Sequence, residues 1–315
     1  MSEARAEVVQ IAPMPSPTGE RLAERFTVHR YWEAANAEAF LAGPGGQAPA
    51  IATLGNVTIE KALIPGMPKL RIVSCYGVGV DGVDLAAAKA KGVIVTNTPD
   101  VLTDCVADLG ISLLLMISRR LVEADRYVRS GQWLKAEFKL TAAPRGKTLG
   151  IVGLGRIGLA VARRAEAFGM KIAYHNRGKR AEVAYPYYAT AAALAAASDY
   201  LLLTCPGGAA TRHLVDAKVL EALGPKGYLI NVARGSVVDE AALVEALQHR
   251  RIAGAGLDVF ADEPRAPAAL FALDNVVLTP HIASATLETR TAMGDLMIEN
   301  LRRYFDGEQV LTRVA

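Results

Sequence analysis

The sequence predicts an α/β protein of two domains, each a parallel sheet covered by helices. Three observations carry this. Short apolar, β-branched runs alternate with helical stretches along nearly all of the 315 residues, as βαβ units require. Near the middle, the apolar run Thr148–Val152 ends in three glycines spaced G-x-G-x-x-G, Gly153, Gly155 and Gly158, and a small-residue helical pattern follows at once. The composition, 51% hydrophobic and 21% charged, is that of a globular chain long enough for two domains of ordinary size.

Taken in order, Val8–Ala12 reads as a strand closed by Pro13, Pro15 and Pro17. A helix is expected over Glu20–Phe26, a strand over Thr27–Tyr31 and a helix over Glu33–Leu41 that stops at Gly43-Pro44-Gly45-Gly46. Ile51–Gly55 is a strand, and the helix that leads towards Leu63 should break at Pro65. Arg71–Gly77 and Val93–Asn97 are strands with the helix Leu85–Ala90 between them. From Val101 to about Arg129 one long helix is expected, with Leu109, Leu113, Met116 and Ile117 at helical spacing, closed by Gly131. An irregular arm, residues 132–145, holds Trp133, Phe138 and Pro144; a long helix with a projecting arm suggests a subunit interface. Strands then follow at Leu149–Gly153, Lys171–His175, Tyr200–Thr204, Tyr228–Val232, Ala255–Phe260 and Val276–Thr279, with helices at about 158–168, 189–197, 216–223 and 240–248. Six strands opened by a glycine turn suit a doubly wound, dinucleotide-binding sheet. A last helix, Glu288–Tyr304, and the tail should return to the first domain, which divides the chain into residues 1–99 with 286–315, and 100–285.

Composition narrows the function. A net charge of +3 is too small to argue for nucleic acid or an anionic membrane. Cys75, Cys105 and Cys205 are odd in number and far apart, which argues against a disulfide framework and a zinc site and fits a reducing cytoplasm. The apolar piece Ile111–Ile117 falls far short of the roughly 20 residues that span a bilayer. Glu3, Arg5 and Glu7 precede any apolar run, so the start does not read as a signal peptide.

The glycine turn sets the first site. Its first glycine permits a sharp turn, its second admits a pyrophosphate against the backbone, and its third seats the helix, whose N-terminal N–H groups then face the phosphates. In an NAD site an acidic residue roughly 20 positions on takes the ribose hydroxyl. Here that position falls in Asn176-Arg177-Gly178-Lys179-Arg180, with no carboxylate. Arg177, joined by Arg180, suits a 2′-phosphate, so NADP(H) is expected over NAD(H). Gly146-Lys147-Thr148 imitates the end of a phosphate-binding P-loop, but the required earlier glycine is Thr141.

Ligands of open α/β sheets bind beyond the carboxyl ends of the strands. Three successive strand ends there lead to Arg234, Glu263 and His281. Reducing a 2-oxo acid requires a hydride, a proton for the carbonyl oxygen and a cation for the carboxylate. His281 can give the proton, Glu263 can favour and orient the imidazolium, and Arg234 can grip oxygens with its fork of donors.

With these residues in place, the chain resembles the D-isomer-specific 2-hydroxyacid dehydrogenases over nearly its whole length. The likeness rests on Tyr76–Asp84, Gly153–Gly158, Asn231–Glu240, Gly256–Phe260 and Thr279–Ser284. Within the family it looks most like the NADPH-dependent glyoxylate/hydroxypyruvate reductases and their relatives acting on hydroxyphenylpyruvate, a likeness carried by Thr96–Asp104 and Leu154–Arg164. The resemblance implies a Rossmann-type cofactor domain inserted in a flavodoxin-like substrate domain, with the substrate between the two, and a homodimer formed through 101–129 and 132–145. It implies catalytic Arg234, Glu263 and His281, and a substrate carboxylate held by the N–H groups of Val78 and Gly79, beside Tyr76. Leu154, Gly155, Arg156 and Ile157 would meet the pyrophosphate and Asp258 the nicotinamide amide. Asn176, Cys205, Pro206, Thr211, Val232, Ala233 and Ser284 would complete the cofactor contacts. The stretch Pro206-Gly207-Gly208-Ala209-Ala210 departs from the bulkier loop of many relatives, and Cys105 stands where many have Ser.

Two other classes are weighed. A nucleotide-sensing binding protein on the same fold would not need Arg234, Glu263 and His281 together. A short-chain dehydrogenase needs a Tyr-x-x-x-Lys pair, and none of the ten tyrosines has Lys four positions on. The choice among small and aryl 2-oxo acids turns on pocket side chains such as Leu54, Tyr76, Trp133 and Phe138, where a methylene is worth about 1–3 kcal/mol.

Overall fold

A computed structural model describes residues 5–315. They form two compact units, one built from the residues up to Leu102 with Thr286–Ala315, the other from Thr103–Ala285.

The first unit runs β1 (Glu7–Gln10), α1 (Thr18–Arg25), β2 (Thr27–Arg30), α2 (Ala37–Ala42), β3 (Ala50–Leu54), α3 (Leu63–Gly66), β4 (Ile72–Tyr76), α4 (Leu85–Ala90) and β5 (Ile94–Thr96). Its five strands are parallel in the order β2-β1-β3-β4-β5, the flavodoxin-like order. Register places Val9, Ile51, Val73 and Val95 in one row across the sheet, all four without exposed surface. Such a row is what β-branched runs, buried on both faces, are for.

The second unit opens with α5 (Thr103–Ser118) and α6 (Leu121–Arg129), then β6 (Thr148–Val152), α7 (Arg156–Ala167), β7 (Lys171–His175), α8 (Ala191–Ala196), β8 (Tyr200–Leu203), α9 (Ala217–Leu223), β9 (Tyr228–Asn231), α10 (Glu240–Gln248), β10 (Gly254–Leu257) and β11 (Val276–Leu278). Strand order is β11-β10-β9-β8-β6-β7, all parallel. Tyr187 adds a single parallel bridge beside Tyr174 on the outer side of β7. Counting that bridge as the third strand, the order is the doubly wound 3-2-1-4-5-6 with one further strand, and the winding reverses between β6 and β8. The chain returns to the first unit with α11 (Leu287–Phe305). Ser74 Oγ donates to Met297 O at 3.1 Å and Tyr76 hydroxyl to Arg290 O at 3.1 Å, and the tail lies antiparallel to β5 through Thr96 and Arg313.

Three local expectations are corrected, and one bridge was not foreseen. The helix expected over 101–129 is two helices: Arg120 takes a left-handed backbone (φ 50°) between α5 and α6 and its guanidinium pairs with Glu123 at 2.5 Å. No Gly or Pro marks that break, and the 3.6-residue pattern runs through it. Pro65 lies inside α3 rather than ending a helix, because at the third helical position its missing N–H has no partner to lose. The helix expected from Glu33 starts only at Ala37, where Asn36 Oδ1 accepts from Ala39 N at 2.9 Å. The bridge at Tyr187 is too short to leave a period in the sequence.

Candidate active site

The glycine turn joins β6 to α7 at the point where the winding reverses. Gly153 has φ 99°, and a Cβ there would lie 2.5 Å from the Cys205 nitrogen, so only glycine lets the two strand ends approach. A Cβ on Gly158 would lie 2.5 Å from Gly153 O and 3.1 Å from Thr204 Oγ1, which itself donates to Gly153 O at 2.7 Å. At Gly155, by contrast, a Cβ would meet no atom within 4 Å. That open flank, with the opening turn of α7 beside it, suits an anionic pyrophosphate. The residues present therefore fit a dinucleotide.

Leu154, between the first two glycines, is held at both backbone groups. Its N–H donates to Asn176 Oδ1 at 2.7 Å, and its carbonyl accepts from Arg180 Nη1. Arg177 is exposed. Cys205 is buried, and burial pushes its thiol up to about 11 despite its own backbone N–H, so it stays a protonated lining group. Pro206 is exposed, and Thr211 Oγ1 donates across the turn to Pro206 O at 2.7 Å.

The rim holds the three chemical groups. His281 Nδ1 lies 2.7 Å from Glu263 Oε2, and Glu263 Oε1 accepts from Phe260 N at 3.1 Å. Burial works to raise the Glu263 carboxyl, but the hydrogen bond and charge of His281, the Phe260 N–H and the Arg234 charge outweigh it. The net direction is down, so Glu263 is a carboxylate facing a ring N–H. Arg234, half-buried, donates to Ala233 O at 2.7 Å.

What presents these side chains is a second set, Asn231, Glu240 and Asp258. Asn231 and Glu240 had no expected role, and Asp258, expected against the nicotinamide amide, instead has its carboxylate buried and turned to protein donors. Asn231, buried at the end of β9, donates to Arg234 O at 3.0 Å and accepts from Ala233 N at 3.0 Å, so it braces the turn that carries the guanidinium. Glu240 Oε1 accepts from Ala261 N at 3.0 Å and holds the loop that carries Glu263. Asp258 has no exposed surface. Its carboxylate accepts from Thr279 Oγ1 at 2.7 Å, Ile282 N at 2.8 Å and Ala283 N at 2.9 Å, and its carbonyl from His281 N at 2.8 Å. Burial pushes the Asp258 carboxyl up; these donors and the His281 charge oppose it without reversing it. His281 sits at φ 53°, a backbone that costs a non-glycine residue of order 1–3 kcal/mol and survives only where neighbours fix it. Asp258 is that neighbour. For Asn231 and Asp258 the sequence signal is a polar residue at the end of an otherwise apolar strand; Glu240, which opens α10, has none.

The remaining expected residues fall as follows. Val232 and Ala233 are buried and Ser284 half-buried at the same rim. In the first unit, Tyr76 is buried with its hydroxyl held by α11 and the Arg290 guanidinium 5.8 Å from its ring centre, so its side chain packs inside its own unit. Val78 is exposed and its carbonyl accepts from Asn97 Nδ2 at 2.8 Å; among the described residues neither Val78 nor Gly79 N–H has a backbone acceptor. No group of three His, Cys, Asp or Glu among the described residues could hold a metal ion, and no described helix is long and apolar enough to cross a membrane.

Comparison with known proteins agrees with this geometry. Residues 111–283 match the NAD-binding domain of the D-isomer-specific 2-hydroxyacid dehydrogenases. The chain is 48% identical over 308 residues, 98% of each chain, to glyoxylate/hydroxypyruvate reductase A of Arabidopsis thaliana. It is 49% identical over the same length, again 98% of each, to a hydroxyphenylpyruvate reductase of Plectranthus scutellarioides. The crystal structure of an NADPH-dependent glyoxylate/hydroxypyruvate reductase from Sinorhizobium meliloti, solved with NADP and malonate, is similar with TM-score 0.92 and 47% identity, over 99% of this chain and 97% of that one.

Proposed function

The chain belongs to the D-isomer-specific 2-hydroxyacid dehydrogenases, and from that membership we propose that it reduces small 2-oxo acids, glyoxylate and hydroxypyruvate, to D-2-hydroxy acids with NADPH. The observation that carries the reading is the 2.7 Å contact between His281 and Glu263 on the rim that also presents Arg234.

When bound, the nicotinamide supplies the hydride that the carbonyl carbon accepts. With Nδ1–H committed to Glu263, the His281 proton available to the carbonyl oxygen is on Nε2. Glu263, ionised, stabilises the charged imidazole before transfer and keeps its ring plane fixed. The Arg234 fork takes oxygens of the substrate carboxylate and carbonyl, so the carbonyl is polarised as its charge develops. Within the first unit, the amides of Val78 and Gly79 are proposed as carboxylate donors. The Arg177 cation is assigned to the 2′-phosphate of NADPH.

Two finer assignments go with this reading. A second copy of the chain is proposed to cover α6 and the arm after it: α6 has no buried residue, and Leu121, Val128, Trp133, Leu134 and Leu140 are 45%, 56%, 66%, 92% and 100% exposed. That Cys75, Cys105 and Cys205 form no disulfide fits a cytoplasmic location.

The test mixes purified protein with NADPH or NADH and follows loss of the reduced nicotinamide's absorbance on glyoxylate, hydroxypyruvate and hydroxyphenylpyruvate. Oxidation of NADPH with the two small acids is expected. The Plectranthus relative favours the aryl acid as a second reading, and a higher kcat/KM on it would transfer the assignment there. No turnover on any of the three would sink both.

A further inference from the structure

The two arginines that follow β7 have opposite surroundings. Arg177 is exposed, and no hydrogen bond or ion pair ties it within the described residues. Arg180 is bound on three sides. Its Nη1 donates to the carbonyl of Leu154, its Nε donates to Glu182 Oε1 at 2.7 Å, and its backbone N–H donates to the Tyr174 hydroxyl at 2.8 Å. Tyr174 is fully buried in β7 and packs on Tyr187 with ring centres 5.5 Å apart, so the hydroxyl is a fixed anchor. The loop from Asn176 to Arg180 thus folds back across the end of β6. Asn176 Oδ1 takes the Leu154 N–H at 2.7 Å while Arg180 takes the Leu154 carbonyl.

Leu154 is the residue between the first two glycines, where the backbone must approach a pyrophosphate. Glycines on either side make this turn permissive, and a permissive backbone has conformational entropy to lose on binding. Two side chains of the next loop remove that freedom in advance. A guanidinium already paired with a carboxylate and donating to a carbonyl is also a poor candidate for a phosphate. Moving it would break a charge-assisted pair and uncover the Leu154 carbonyl.

We propose that Arg180 is a positioning residue that latches the glycine turn to the β7 loop for either cofactor, that Arg177 alone reads the 2′-phosphate, and that Glu182 keeps the Arg180 charge out of that reading. This rests on the NADPH assignment made above. It separates two arginines that the sequence presents as one basic cluster.

The experiment titrates NADPH and NADH into the pure protein by cofactor fluorescence, without substrate, and records thermal midpoints. Arg177→Ala weakens NADPH by about tenfold or more and leaves NADH unchanged. Arg180→Gln weakens both cofactors by a similar factor, about five- to tenfold, with the NADPH/NADH ratio kept. Glu182→Gln, which leaves the carbonyl bond but frees a positive charge, tightens NADPH a few-fold and leaves NADH alone, a selective change that a merely structural role would not produce. Arg180→Lys, which can still donate to the Leu154 carbonyl, recovers part of the loss for both, and it carries the test if Arg180→Gln does not fold. Loss of NADPH affinity alone in the Arg180 variants would make Arg180 a phosphate ligand and overturn the latch; so would no loss for either cofactor. If Arg177→Ala leaves NADPH binding intact, it is the NADPH assignment itself that fails.

Discussion

The ends of β9, β10 and β11 and the end of β8 lie along one edge of the same sheet, yet they are built differently. Behind the first three stand buried or half-buried polar side chains, Asn231, Asp258 and Glu240, each holding a loop by its backbone. After β8, Thr204 ties the strand end to Gly153 O, but the loop Pro206–Ala210 itself offers only glycine, alanine and an exposed proline, held by Thr211 through its hydroxyl on Pro206 O at 2.7 Å and its N–H on Gly208 O at 3.1 Å. The difference follows from what each end must do. A proton donor has to be held at a fixed distance and angle, because misplacing a reacting group costs orders of magnitude in rate. A wall against a nucleotide needs only to be there.

If that contrast is right, the largest loss comes from the braced end. His281→Ala should lower kcat by about 10²–10⁴-fold while fluorescence titration finds NADPH binding within a few-fold of wild type. Turnover within a few-fold of wild type would show that His281 is not the proton donor. Next is Asp258→Asn. An amide cannot accept from Thr279, Ile282 and Ala283 together, so at least one donor loses its partner, at about 1–3 kcal/mol. The thermal midpoint should fall by several degrees, and kcat should fall with it as His281 leaves its left-handed backbone. A variant with normal stability and normal kcat would show that the brace does not set the rate.

Glu263→Gln sits in the middle of the range. Glu263 ionises more readily in the folded protein, so its contribution to stability is complete above the ordinary glutamate range and is lost as pH falls below it. The Gln variant should therefore lose less stability than wild type on acidification. Its reductase activity should fall by about tenfold at neutral pH. Activity at neutral pH unchanged from wild type would remove Glu263 from the proton-donating pair.

The same contrast explains what could be read from the sequence. The glycine turn, the strands and the trio Arg234, Glu263 and His281 were legible because each is a residue type at a strand end where only a few chemistries fit. The braces were not. Asn231 looks like an ordinary polar residue, and Asp258 like a cofactor contact, until the register of β9 and β10 sets them inside the sheet edge. The break at Arg120 was hidden because ion pairing with Glu123, rather than propensity, holds the left-handed residue there. The separation of Arg177 from Arg180 needed the reach of one guanidinium to a carbonyl 26 residues earlier in the chain.

The smallest effect is expected at the other end. Thr211→Val removes the hydroxyl that spans the loop after β8, in a turn where Pro206 is exposed. A hydrogen bond at an exposed position is readily replaced by water, so stability should change by no more than about 0.5 kcal/mol. KM for NADPH should rise by no more than about threefold, and kcat should stay level, since no group that moves a proton hangs from this loop. If Thr211→Val instead cost as much in kcat as Asp258→Asn, the β8 end would be positioning the reaction too. The sheet edge would then be one uniformly braced surface rather than a held rim beside a plain wall.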